Sequence, residues 1–254
     1  MTDDSELKTG PFDSKDAARQ AVWDTLANQG LARFPYPPHG RIPNFAGARQ
    51  AAERLLMLPI WDEVSCIKAN PDAPQRDVRR LALERGITVV MPTPRLRDGF
   101  MKLAPDAIAP NEIRFAASLN RVKHYATHVQ FAELPTIDLV VTGSVAITDA
   151  GKRLGKGHGY GDLEYAMICE IQGSAPIVVT TVHDAQMVLD FPTEAHDLWV
   201  DVIVTPHTTV DRSNARSTTQ LARIDWERLS PQDLEAMPVL TDFRAFLKSR
   251  SHCP

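Results

Sequence analysis

Five of the chain's 13 glycines, Gly151, Gly155, Gly157, Gly159 and Gly161, fall within eleven residues, between an apolar β-branched run and an amphipathic stretch, in IDLVVTGSVAITDAGKRLGKGHGYGDLEYAMICE. Glycine admits positive φ and lets backbone amides approach a ligand with no β-carbon in the way, so a loop of this kind can cradle phosphate oxygens. The helix that follows would aim its N-terminal dipole at the same ligand. Lys152, Arg153 and Lys156 add the positive charge a polyphosphate requires, and Asp162 can hold a magnesium ion bridging those phosphates. His158 sits inside the loop. The segment lacks the spacing and terminal Lys-Ser/Thr pair of a Walker loop, and it does not match the Rossmann dinucleotide fingerprint.

The chain around this loop reads as an α/β fold. Val64 to Ala69, Ile87 to Met91, Ile137 to Thr142, Ile177 to Val182 and Val200 to Thr205 are short, β-branched and bounded by Pro, Gly or Asn, which predicts five strands. Near-continuous apolar runs such as IDLVV and PIVVTTV suit strands covered on both faces, with the helical patterns between them as parallel crossovers. The expectation is an open, mostly parallel sheet with helices on both faces. Ser14 caps a predicted helix whose apolar positions Ala17, Ala18, Val22, Leu26 and Ala27 recur at helical spacing until Gly30, and Lys15 and Arg19 share one of its faces. The Pro-rich stretch Phe34 to Phe45 cannot hold a helix and reads as a surface loop; a second helix is expected near Ala46 to Leu58. Ser230, Pro231 and Asp233 open a helical C-terminal extension. The domain reading is one α/β unit over 1–229 with a helical extension over 230–254 packed on it.

Charge and cysteine usage narrow the partners. Lys plus Arg number 28 against 32 Asp plus Glu, a formal net charge of −4, so nothing favours nucleic acid or an anionic membrane. Cys66, Cys169 and Cys253 are odd in number and far apart, which suits thiols in a reducing compartment. No apolar run approaches a membrane span, and the chain is expected to be cytoplasmic, a monomer or homodimer acting on a small molecule.

Several other residues have two readings. His124 and His128 would share a face on a helix, the arrangement of a metal-binding pair, but more often such a pair is solvated or core-facing. His183 and His196 lie beside Gln186 and Asp197, which invites acid–base roles without requiring them. Trp23, Trp61, Trp199 and Trp226 are scattered and suit the core or its rim. Arg212 and Arg216 lie in a Ser- and Asn-rich segment that reads as exposed.

The sequence resembles the 5-formyltetrahydrofolate cyclo-ligase (methenyltetrahydrofolate synthetase) family. RLGKGHGYGD supplies Arg153, Gly155, Gly157, Gly159, Tyr160 and Asp162 of its loop. HDAQMVLDFPTEAHDLWVDVIVTP is similar to its later segment through Gln186, Pro192, Glu194, His196, Asp197 and Thr205, and Lys15 and Arg19 fall at the spacing of its N-terminal basic pair. The resemblance implies a three-layer, Rossmann-like α/β fold, ATP and Mg2+ as cofactors, and a reduced folate as substrate. In that chemistry ATP phosphorylates the formyl oxygen, a ring nitrogen attacks the activated carbon, and phosphate leaves. Lys15, Arg19, Arg153, Gly155, Lys156, Gly157, His158, Gly159, Tyr160 and Asp162 would bind nucleotide. Arg153 and Lys156 would neutralise the transferred phosphoryl group, Asp162 would hold the metal, and Asp72, Met101 and Tyr160 would face the substrate.

The chain departs from the family at Lys156, where an aromatic is usual, and at His158, Gly161 and Leu163, while Ile147 and Thr148 stand for an aromatic and acidic pair. These changes mark a divergent branch. Such a branch is compatible with three readings: the cyclo-ligase itself; a paralogue acting on another small substrate in thiamin or one-carbon metabolism; or a ligand-binding protein without catalysis.

Overall fold

The computed structural model describes residues 8–215 and 221–250; Arg216 and Cys253 lie outside them. Ser14 caps helix α1 (Lys15–Asn28), its hydroxyl accepting the Ala17 amide at 3.1 Å, and the apolar face of Ala18, Val22 and Leu26 is buried. The Pro-rich stretch holds no helix. Two short strands, β1 (Ala32–Arg33) and β2 (Asn44–Phe45), pair across it and tie its end into the core through Ile42 and Phe45. Helix α2 (Ala48–Leu56) leads into β3 (Cys66–Ala69), α3 (Arg76–Glu84), β4 (Thr88–Pro92), β5 (Phe100–Leu103), the short α4 (Ile113–Ala116) and β6 (Thr127–Val129). Then come β7 (Leu139–Thr142), a hairpin of β8 (Ala146–Ile147) and β9 (Arg153–Leu154), α5 (Tyr160–Gln172), β10 (Ile177–Thr181), β11 (Val202–Val204) and β12 (Thr209–Asp211). Helices α6 (Pro231–Ala236) and α7 (Val239–Arg250) follow.

Among the described residues, eight strands form one sheet in the order β12-β11-β10-β7-β3-β4-β5-β6. The five inner strands are parallel; β12 at one edge and β5 and β6 at the other are antiparallel. The five predicted strands are the five parallel ones. Side-chain alternation divides the sheet into two buried faces. Ile67, Ala69, Val89, Met91, Leu139 and Val141 pack against α2, α3 and α4, whereas Cys66, Val90, Val140, Val178 and Ile203 pack against α5 and α7. The result is a three-layer α/β fold. Cys66 and Cys169 are buried in the second layer and neither forms a disulfide, and burial, with Asp138 nearby, pushes the Cys66 thiol up to about 12.

The C-terminal segment is two helices. The Ser230 hydroxyl accepts the Asp233 amide and the Asp233 carboxylate accepts the Ser230 amide, a reciprocal cap that starts α6. Pro238 separates it from α7, whose Val239, Leu240 and Phe243 enter the core beside α5. No helix among the described residues is long and apolar enough to cross a membrane.

Candidate functional site

The glycine segment closes one end of the sheet. After β7 the chain turns at Gly143, where a β-carbon would lie 2.7 Å from Ile42, and enters the β8–β9 hairpin. The hairpin turn closes through Gly151, at φ +84°, whose missing side chain leaves room for the Val200 carbonyl oxygen. Arg153 then extends from β9 beneath the loop. Its Nε donates to the Gly143 carbonyl at 2.9 Å, and its guanidinium lies between Gly155 and Gly161: a β-carbon at either would come within 2.9 or 3.2 Å of Nη2. These two glycines therefore make space for the arginine. Gly157 and Gly159, at φ +100° and +68°, supply the turns that bring the chain to the first residue of α5.

No side chain caps α5. No described residue accepts a hydrogen bond from the backbone amides of Gly155 through Asp162, and these residues line a cleft of about 360 Å³. That volume lies within the roughly 300–1,000 Å³ of small-molecule sites. A set of unpaired amides at a helix N-terminus is an anion receptor.

Helix α1 forms the adjoining wall. Arg19 Nε donates to the Gly155 carbonyl at 2.8 Å, and Nη1 pairs with Asp16. Lys15 Nζ sits 2.7 Å from Asp197 and 3.8 Å from Glu194. Lys156 reaches toward Asp72, with Nζ 3.6 Å from Oδ1, while His158 and Tyr160 meet edge to face with ring centroids 5.9 Å apart. Asp162 Oδ1 accepts the Leu198 amide at 2.8 Å and lies 3.6 Å from Arg153 Nη1. Its Oδ2 has no partner among the described residues, so one carboxylate oxygen remains for a cation. Lys15, Arg19, Asp72, Arg153 and the whole 155–162 segment line the one cleft.

Met101 does not. It is 8% exposed on β5, paired with Met91 and His128, and packs in the core layer with α2 and α3. The alternation of β5 turns it away from the cleft, which corrects its expected place beside the substrate. His124 and His128 do not share a helix, because the chain passes from a 3-10 turn ending at His124 into β6 at Thr127. His183 accepts the Ala185 amide at 3.1 Å and, with Gln186, caps a short turn; Gln186 also donates to the Ser144 and Val145 carbonyls. Both have structural work. His196 lines the cleft rim, 3.2 Å from Glu194 and against Arg228.

Sequence reasoning missed the floor. Lys68, fully buried on the α5 face of β3, donates to Glu164 and, at 2.8 Å, to Asn70 Oδ1; Asn70 and Glu164 both line the cleft. Burial raises the Glu164 carboxyl above its ordinary range, and Lys68 opposes that rise. Arg79, also fully buried, donates through Nη1 to the Asn70 carbonyl at 2.6 Å and the Asp72 carbonyl at 3.1 Å, fixing the turn that carries Asp72. The available signal was a lysine inside the otherwise apolar strand CIKA and a glutamate inside the apolar helix LEYAMIC.

The chain is similar to known proteins. The sequence profile of the 5-formyltetrahydrofolate cyclo-ligase family matches residues 13–206. Proteins named methenyltetrahydrofolate synthase domain-containing protein are similar over 91% of this chain: the one from Bos taurus is 44% identical over 240 residues and the one from Homo sapiens 39%. The chain spans 62% of the length of each of these curated relatives. Among solved structures, a 5,10-methenyltetrahydrofolate synthetase from Aquifex aeolicus superimposes with a TM-score of 0.51 at 16% identity, covering 81% of this chain and 96% of that one. That likeness is one of fold.

Proposed function

The chain belongs to the 5-formyltetrahydrofolate cyclo-ligase family, and from that premise we propose that it binds Mg–ATP at the glycine loop and converts 5-formyltetrahydrofolate to 5,10-methenyltetrahydrofolate. The observation that carries this reading is the row of backbone amides from Gly155 to Asp162 with no described acceptor, flanked by Arg19, Arg153 and Lys156. A triphosphate matches that pattern of donors and charge.

The residues divide the work by position. Arg153, held by Gly143 and clasped by two glycines, presents a fixed guanidinium to the phosphoryl group in transfer, and Lys15, Arg19 and Lys156 add positive charge around it. Magnesium, when bound, supplies further charge neutralisation on the phosphates, and Asp162 Oδ2 is the oxygen this chain offers it. Asp72 and Tyr160 hold the folate beside the nucleotide. The γ-phosphoryl group moves to the formyl oxygen, the substrate's own amine then attacks the formyl carbon, and phosphate departs with the C–O electron pair while the amine loses its proton. No protein nucleophile enters that sequence.

Incubation with ATP, Mg2+ and 5-formyltetrahydrofolate should raise the methenyl absorbance. Proven Mg–ATP binding without turnover would reject the reaction while leaving the nucleotide site standing. A second reading keeps the nucleotide site and changes the substrate; the proximity of Lys156 to Asp72 favours it, since a lysine there alters what that carboxylate can recognise. A melting-temperature screen in which a non-folate metabolite gives a larger shift than a reduced folate would select it.

A further inference from the structure

The turn after β4 holds two consecutive non-glycine residues in left-handed backbone, Arg95 at φ 56° and ψ 25° and Leu96 at φ 53°. Among the described residues no other non-glycine residue has a positive φ. The conformation crowds Cβ against the following carbonyl, and for a bulky leucine it is a true outlier. The surroundings enforce it. The Leu96 side chain is 1% exposed in the α5 layer, its amide donates to the Thr93 carbonyl at 2.8 Å, and Thr93 Oγ1 accepts the Asp98 amide at 2.9 Å. Strain fixed in this way gathers at ligand sites.

What the turn presents is Arg95. It is exposed, lines the cleft, and pairs with no carboxylate among the described residues, whereas Lys15, Arg19 and Lys156 have Asp197, Asp16 and Asp72 beside them. In the sheet, β3 lies between β7 and β4, so the Arg95 turn and the chain leaving β7 toward the glycine loop emerge on opposite sides of the Asp72 turn. An unpaired guanidinium is a planar fork suited to a carboxylate.

We propose that Arg95 binds a carboxylate at the end of the second substrate remote from the nucleotide, and that the left-handed turn is kept to hold it there. This rests on the reading above, in which the cleft takes ATP together with a small acid. For 5-formyltetrahydrofolate the group is a carboxylate of the glutamate moiety.

The test compares wild type, Arg95→Ala and Arg95→Gly in binding Mg–ATP, 5-formyltetrahydrofolate and 5-formyltetrahydropteroyl amide, in which an uncharged carboxamide takes the place of the glutamate. Wild type should bind the folate at least about tenfold more tightly than the amide, a difference one charge-assisted pair can supply. Both variants should reduce that preference to about twofold or less and leave Mg–ATP affinity unchanged. Arg95→Gly should also raise the melting temperature of the free protein by about 1–2 °C, because glycine relieves the left-handed strain. A variant that keeps the wild-type preference, a loss that falls on Mg–ATP instead, or a lowered melting temperature for Arg95→Gly overturns the assignment alone. Wild type that binds Mg–ATP and neither pterin compound overturns the folate reading and this assignment together.

Discussion

Lys68 and Glu164 form an ion pair buried between β3 and α5, beneath the cleft that the glycine loop closes. Neither charge would be tolerated there alone. Lys68→Met should destabilise the fold by about 3–5 kcal/mol, because it leaves an uncompensated carboxylate in the interior, while Lys68→Met with Glu164→Leu should recover much of that loss. The single variant should also change with pH. Burial raises the Glu164 carboxyl above its ordinary 4.5, and removing Lys68 takes away the partner that lowers it. A raised acid keeps its proton longer in the folded state, so the folded chain binds more protons than the unfolded one and stability falls as pH rises above 4.5. Urea midpoints should therefore show a larger deficit for Lys68→Met at pH 8 than at pH 5; an equal deficit at both would contradict the assignment.

The parallel strands were legible because burial on two faces writes continuous β-branched runs such as VVMP, LVVT and IVVTT. Strands β5, β6 and β12 carry no such run: Lys102 interrupts the first, Thr127 and His128 are exposed in the second, and Thr209 and Asp211 are exposed in the third. They pair only because the sheet offers an edge. In the site, glycine spacing made the loop readable, and helix periodicity put Lys15 and Arg19 on one face of α1, while their link to the loop came only through the family resemblance. Lys68 and Arg95 were not readable, since one is explained only by Glu164 arriving from another element and the other only by a backbone conformation that arginine and leucine do not favour.

Gly151 is a test of the hairpin beneath the loop. A β-carbon there would lie 2.3 Å from the Val200 carbonyl oxygen, on backbone at φ +84°. Gly151→Ala should cost about 2–4 kcal/mol from strain and overpacking together, or roughly 5–15 °C in melting temperature. Calorimetry on the purified variant checks this, and a shift under about 2 °C would mean that β8 and β9 can separate freely from Val200.

Asp162 has two roles that one substitution can separate. Its Oδ1 accepts the Leu198 amide, an interaction that Asp162→Asn can keep and Asp162→Ala cannot. Asparagine should leave stability within about 1 kcal/mol of wild type, and alanine should lose about 1–3 kcal/mol for the orphaned amide. On the reading of Oδ2 as the metal-facing oxygen, both should lower turnover about 100-fold or more. Asparagine with full turnover would confine Asp162 to holding Leu198.

Lys15 and Asp197 make a sharper test of the phosphate site than charge removal alone. Lys15→Ala takes a cation from the cleft and also uncovers Asp197 and Glu194, whose carboxylates would then face an incoming triphosphate. Arg19→Ala removes a cation while the nearby Asp16 stays largely in solvent. Mg–ATP affinity should therefore fall further for Lys15→Ala than for Arg19→Ala, with each loss shrinking as salt rises. Adding Asp197→Asn to Lys15→Ala should recover affinity, because it deletes the exposed negative charge while an amide oxygen can still accept the Glu194 amide. Such recovery is the non-additivity expected of coupled neighbours. Isothermal titration across these proteins and Asp197→Asn alone decides it: additive losses in the double variant would mean that Lys15 serves only to tie α1 to the 194–197 segment and that phosphate is held elsewhere.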